Sequence, residues 1–154
     1  MLHIVLYEPE IPPNTGNAIR LCANMGATLH LVKPLGFSLD DKSLQRSGLD
    51  YHDLVTVRVH ENLDMCLVEL AGARVFAVET VGRLCYSDLK ARAGDAFLFG
   101  PETRGLPASV LDRIGRENSL FIPMMPTNRS INLSNAVAIV AFEAWRQLGF
   151  TGHA

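Results

Sequence analysis

Several common ingredients are scarce in this chain. Charged residues make up only 19%, and the formal net charge is −2 with a pI near 6.2. That excludes a protein gripping nucleic acid by bulk positive charge, and leaves room only for a local basic patch. Lysine is limited to Lys33, Lys42 and Lys90, against 11 arginines. Cysteine occurs three times, as Cys22, Cys66 and Cys85, with no CxxC pair and no Cys/His cluster along the chain. That spacing argues against zinc and against a disulfide framework, so no metal is expected and a reducing cytoplasm is. No apolar run approaches the ~20 residues that cross a bilayer, and "MLHIVLYEPE" lacks the basic lead of a signal peptide. Familiar site motifs are also missing: there is no GxGxxG, GxxxxGK[ST], GxSxG or HExxH. Linkers, repeats and low-complexity tracts are absent too, so residues 1–154 are expected to form one domain.

What is present is a regular alternation. Hydrophobic residues reach 48%, enough for a substantial core. Short apolar runs predict strands at Leu2–Tyr7, Thr28–Lys33, Leu54–Val59, Arg74–Glu79, Asp95–Gly100 and Ser119–Ile122. Amphipathic stretches predict helices between them: one capped near Asn14 or Thr15 and stopped by Gly26, then Asp40–Ser47, Leu63–Leu70, Ala108–Ile114 and Asn135–Trp145. Pro9, Pro12 and Pro13 read as a loop. Strands apolar on both sides, alternating with helices, predict an α/β fold: a single-domain parallel sheet with helices on both faces. In such sheets ligands lie beyond the carboxyl ends of the strands. The loops there are "EPEIPPN", "ETVGR", "GPETRGLP" and "IPMMPTNRSINLSN", the last three long for their type. A response-regulator domain has similar architecture, but "RVHEN" lacks the aspartate it needs after strand three.

Three stretches carry more polar chemistry than folding requires. In "NTGNAIRLCANMG", Asn17, Arg20 and Asn24 share one helix face, and Arg20 is placed about one turn in, where it can meet an anion. A solvated helix face is the competing explanation, although asparagine is a poor helix former. In "FGPETRGLPASVL", a turn and a helix start explain Gly100, Gly105 and Pro107 but not Glu102 and Arg104. In "PTNRSINLSNAVAIVAFEAW", Asn128, Ser130, Asn132, Ser134 and Asn135 crowd around one helix start that needs one cap. The surplus either satisfies loop carbonyls or binds a polar ligand such as a nucleoside.

Taken in order, these stretches resemble the three motifs of the SpoU branch of the SPOUT RNA methyltransferases. The likeness extends through "MLHIVLYEPEIPPNTGN" and "GLDYH" over nearly the whole chain. The absence of an added RNA-binding domain is similar to the minimal TrmL-like group, which methylates the ribose 2′-hydroxyl of the wobble cytidine or uridine of leucine tRNAs. The resemblance implies a C-terminal deep trefoil knot and a homodimer through the C-terminal helix region, with no membrane contact. It implies S-adenosyl-L-methionine as methyl donor, leaving as S-adenosyl-L-homocysteine, and tRNA as substrate. By position it assigns the cofactor to Val78, Thr80, Gly100, Glu102, Ile122, Met124, Ser130 and Leu133. It assigns catalytic work to Asn14, Arg20, Glu102, Ser130 and Asn132. Arg20, Arg46, His52, Arg104 and Arg129 are the candidates for RNA contact. Arg20 as a general base is physically awkward, since guanidinium stays protonated at neutral pH. An electrostatic clamp on phosphate and developing alkoxide suits it better. The alternatives are a relative acting on another RNA or on a base, and a non-catalytic module that binds nucleosides or RNA.

Overall fold

The computed structural model describes residues 1–45 and 57–154. The strands are β1 (His3–Tyr7), β2 (Thr28–Val32), β3 (Val57–His60), β4 (Val75–Val78), β5 (Leu84–Cys85), β6 (Ala96–Phe99) and β7 (Ser119–Phe121). Helices α1 (Pro12–Met25), α2 (Lys42–Gln45), α3 (Leu63–Glu69), α4 (Ala108–Ile114) and α5 (Leu133–Gln147) alternate with them. All seven strands join one sheet in the order β3-β2-β1-β6-β4-β7-β5, and every pairing is parallel. The chain starts mid-sheet, builds outward to β3, then crosses over to build the other half.

Alternation along each strand divides the interior into two cores. Ile4, Leu6, Leu29, Leu31, Phe97 and Phe99 point to one face, where Ala18, Ile19 and Cys22 of α1 and Val137, Val140 and Ala141 of α5 cover them. Val5, Val32, Ala96 and Leu98 point to the other, beneath Leu63, Cys66 and Leu70 from the α3 region and Val110 of α4. The two-sided apolar strands therefore follow from a sheet buried on both sides. Phe97, fully buried and stacked on Phe76 at 6.1 Å, is the largest side chain so placed; burying it contributes about 2–3 kcal/mol.

The structure corrects several expected boundaries. Pro12 and Pro13 do not lie in a loop but occupy the first turn of α1, where a missing N–H costs nothing. Ile11 is the cap residue and its side chain makes no capping bond. Gly26 ends the helix in the left-handed region at φ 72°, as its position suggests. The strand β5 has only two residues and was not expected. The expected helix over 40–47 is described as far as Gln45, and the expected strand over 54–59 from Val57 onward.

Candidate functional site

The loops leaving β1, β4, β6 and β7 meet beyond the carboxyl ends of those strands, around a cavity of about 580 Å³. Two of them brace each other. Pro12 and Pro13 start α1 without a side-chain cap, so the backbone N–H groups before them need acceptors. Glu102, from the loop after β6, supplies one: its Oε2 accepts from the N–H of Glu10 at 2.7 Å and of Ile11 at 3.3 Å. Its negative charge also suits a helix N-terminus. Glu10 returns the contact, accepting from the Thr103 N–H at 3.1 Å and the Thr103 hydroxyl at 2.7 Å. Those bonds hold the Glu10 carboxyl below its usual range. The second oxygen of Glu102, Oε1, is buried and has no hydrogen-bond partner among the described residues. A carboxylate oxygen in that state is available to a ligand donor.

The loop after β6 folds back on itself. A Cβ on Gly100 would lie 2.5 Å from the backbone of Gly105 and Leu106, and Gly105 adopts φ 68°. Both positions thus require glycine. Glu79, at the end of β4, fixes the return by accepting from the Leu106 N–H at 2.8 Å. Burial pushes its carboxyl above the ordinary range. The loop after β4 runs against β7, where a Cβ on Gly82 would sit 2.3 Å from the Leu120 carbonyl carbon.

The crowded loop before α5 resolves into two duties. Asn132 is the cap: its Oδ1 accepts from the N–H of Ser134 at 3.0 Å and of Asn135 at 3.3 Å, and from the Ser134 hydroxyl at 2.7 Å. Its Nδ2 donates to Oδ1 of Asn14, only 6% exposed on α1, at 3.0 Å. One side chain both starts the last helix and ties it to the first. Arg129 and Ser130 stand exposed at the cavity rim.

All eight residues expected to hold a cofactor line this cavity: Val78, Thr80, Gly100, Glu102, Ile122, Met124, Ser130 and Leu133. Asn14, Asn132, Arg104 and Arg129 line it as well. Arg104 reaches Glu8 at 3.3 Å. Arg20 does not line the cavity. Because α1 starts at Pro12, Arg20 sits two turns in rather than one, on an exposed stripe with Asn17 and Asn24. Arg46 and His52 fall outside the described residues. Sequence reasoning missed Glu10, Glu79 and Thr103, although "EPEIPPN" and "ETVGR" marked their loops. The cavity combines an apolar wall (Val78, Phe99, Ile122, Leu133) with a few convergent polar groups. Such a lining fits a nucleoside-bearing ligand, and the volume is typical of small-molecule sites.

Comparisons with known proteins identify the family to which the whole chain is similar. The SpoU rRNA Methylase family model matches residues 1–142. A protein named tRNA (cytidine(34)-2′-O)-methyltransferase, from Methylovorus glucosotrophus (strain SIP3-4), is 58% identical over 152 residues, covering 99% of each chain. A solved structure presented as "Structural insights into the 2-OH methylation of C/U34 on tRNA" superposes with a TM-score of 0.90 at 49% identity, covering 97% of both chains. The SpoU methyltransferase AviRb from Streptomyces viridochromogenes, in complex with AdoMet, superposes with a TM-score of 0.84 over 100% of this chain and 59% of its own. Its 22% identity makes it similar in fold alone.

Proposed function

The chain belongs to the SpoU rRNA methylase family, and from that premise we propose that it methylates the ribose 2′-hydroxyl of the wobble cytidine or uridine in tRNA. Leucine tRNAs are the substrates, S-adenosylmethionine is the donor, and S-adenosylhomocysteine is the product. The observation that carries this reading is the cavity at the ends of β4, β6 and β7, which gathers every cofactor position expected from the motifs. Residues 1–154 act as one SPOUT domain. We further place its C-terminal part in a trefoil knot. The backbone crowding of Gly82, in the loop after β4, against Leu120 of β7 supports segments packed that tightly.

When bound, the donor supplies its methyl group as a sulfonium, activated for displacement. The chain supplies position and charge. Val78, Ile122 and Leu133 would hold the apolar part of the donor, and the open oxygen of Glu102 would accept from a donor group on it. Ser130 and Asn132 orient donor or ribose at the rim. Arg20 would clamp the phosphate beside the reacting ribose and stabilise charge on the 2′-oxygen as its proton passes to that phosphate or to water. Arg104 and Arg129 hold RNA at the rim, with Arg46 and His52 as further contacts. Orientation of the hydroxyl against the methyl supplies much of the rate. A homodimer through the α5 region widens the basic surface, which one acidic chain alone supplies poorly.

The test is incubation with labelled S-adenosylmethionine and unmodified tRNA, followed by mapping of the labelled nucleotide. Label on the ribose at position 34 of leucine tRNAs is expected. Label on a base, on another RNA, or on no RNA at all defeats the proposal.

A further inference from the structure

Away from the cavity, the sheet face under α3 carries an unusual row. His3, His30 and His60 come from β1, β2 and β3. His30 stands opposite Val5, and His60 stands opposite Val32. Alternation therefore puts all three rings on one face, stepping diagonally across three strands. His3 Nδ1 lies 3.1 Å from His30 Nε2, and His30 Nδ1 lies 2.9 Å from His60 Nε2. Cys66 and Glu69 project from the same side of α3 onto this row, three residues apart. His30 and Cys66 are fully buried, and His60 is 6% exposed.

We propose that His30, His60 and Cys66 form a binding site for one zinc-class transition-metal ion. One ligand atom from each of the three lies within 4.8 Å of the others. Tetrahedral zinc with nitrogen and sulfur ligands needs separations of about 3.3–3.7 Å, so shifts of about 1 Å close the site. Imidazole and thiolate select zinc, cobalt or copper over magnesium and calcium. Each histidine also has a polar neighbour on its far side. With Nδ1 of His30 facing the ion, its Nε2 meets His3. With Nε2 of His60 facing the ion, its Nδ1 points to the Glu69 carboxylate at 3.7 Å.

On coordination the Cys66 S–H proton passes to solvent and the sulfur–metal bond replaces it. One thiolate then offsets part of a divalent ion's charge, and the Glu69 carboxylate, which also faces Arg58 at 3.8 Å, lies beside it. A cleft of about 410 Å³ lies beside the row, lined by His3 and Glu69. The linear spacing of residues 30, 60 and 66 matches no zinc motif, because the site is assembled by strand register.

The test is titration of reduced, metal-free protein with Co²⁺, followed by displacement with Zn²⁺. Expected is one ion per chain with a thiolate-to-cobalt charge-transfer band. That band is lost in Cys66→Ala and kept in Cys22→Ala and Cys85→Ala. S-adenosylhomocysteine binding by Cys66→Ala reports that the variant folds. Glu69→Gln, which alters only an outer contact, is expected to weaken Co²⁺ about 10- to 100-fold and guards against a misfolded Cys66 variant. Absence of stoichiometric binding, a band surviving Cys66→Ala, or unchanged affinity in Glu69→Gln overturns the site.

Discussion

Removing the Asn132 side chain separates the two duties the structure gives it. In Asn132→Ala, α5 loses its cap, which costs about 1 kcal/mol. The buried Oδ1 of Asn14 also loses the partner it holds at 3.0 Å, which costs a further 1–3 kcal/mol or so. The sum, about 2–4 kcal/mol, lowers the melting temperature by roughly 10 °C in a domain of this size. Asn132→Ser keeps a capping oxygen and loses only the tie to α1, so it falls about 1 kcal/mol short of the alanine loss. Asn132→Asp keeps the cap, and the Asn14 amide can turn to donate to the new carboxylate; it is expected within about 1 kcal/mol of the parent. Denaturant unfolding at fixed protein concentration reads all three. A double-mutant cycle with Asn14→Ala is expected to give a coupling of about 1 kcal/mol. Coupling below about 0.3 kcal/mol would show that the tie carries no energy, and equal losses for alanine and serine would show the same of the cap.

Three other outcomes follow from the site and its surroundings. Glu79→Gln keeps an acceptor for the Leu106 N–H and removes a desolvated charge, so unfolding is expected at equal or higher denaturant. Calorimetry should show weaker cofactor binding if the carboxylate meets the ligand; a variant less stable than the parent contradicts the burial argument. Gly82→Ala drives a Cβ into the Leu120 backbone at 2.3 Å and is expected to abolish soluble folded protein or cost more than about 3 kcal/mol; a melting temperature near the parent's would refute that crowding. Glu143 is held down to about 2 by Arg146 and then Gln147. Its contribution is complete above the ordinary glutamate value and fades as pH falls from there toward 2. The pair is exposed, so the effect is small, and salt should shrink it; Glu143→Gln should flatten that part of the acid-stability curve.

Most of the sheet was legible because burial on both faces writes itself as short apolar runs. Leu84–Cys85 was not, since two residues cannot display a period. Pro12 and Pro13 misled because the same missing N–H that breaks a helix interior is harmless in its first turn. Asn132 was legible as a surplus polar residue, but not as a tie to Asn14, because its partner lies far away in sequence. Glu102 likewise stood out without showing that one oxygen braces the neighbouring loop. The histidine row was invisible for a related reason: each histidine sits alone in its own strand, and only the register aligns them. The eight positions that the SpoU resemblance assigns to a cofactor all line one cavity, but the resemblance could not supply the Glu10–Thr103 brace.

The Asn14–Asn132 bond spans 118 residues. On a ribosome adding 5–20 residues per second, Asn14 therefore waits roughly 6–24 s for its partner to be made. Six of the seven strands, β1 to β6, are synthesised by Phe99, yet the rim of the cavity arrives only with residues 129–133. A nascent chain holds most of its sheet long before it has anywhere to put a ligand, so the cofactor can assist only the last act of folding.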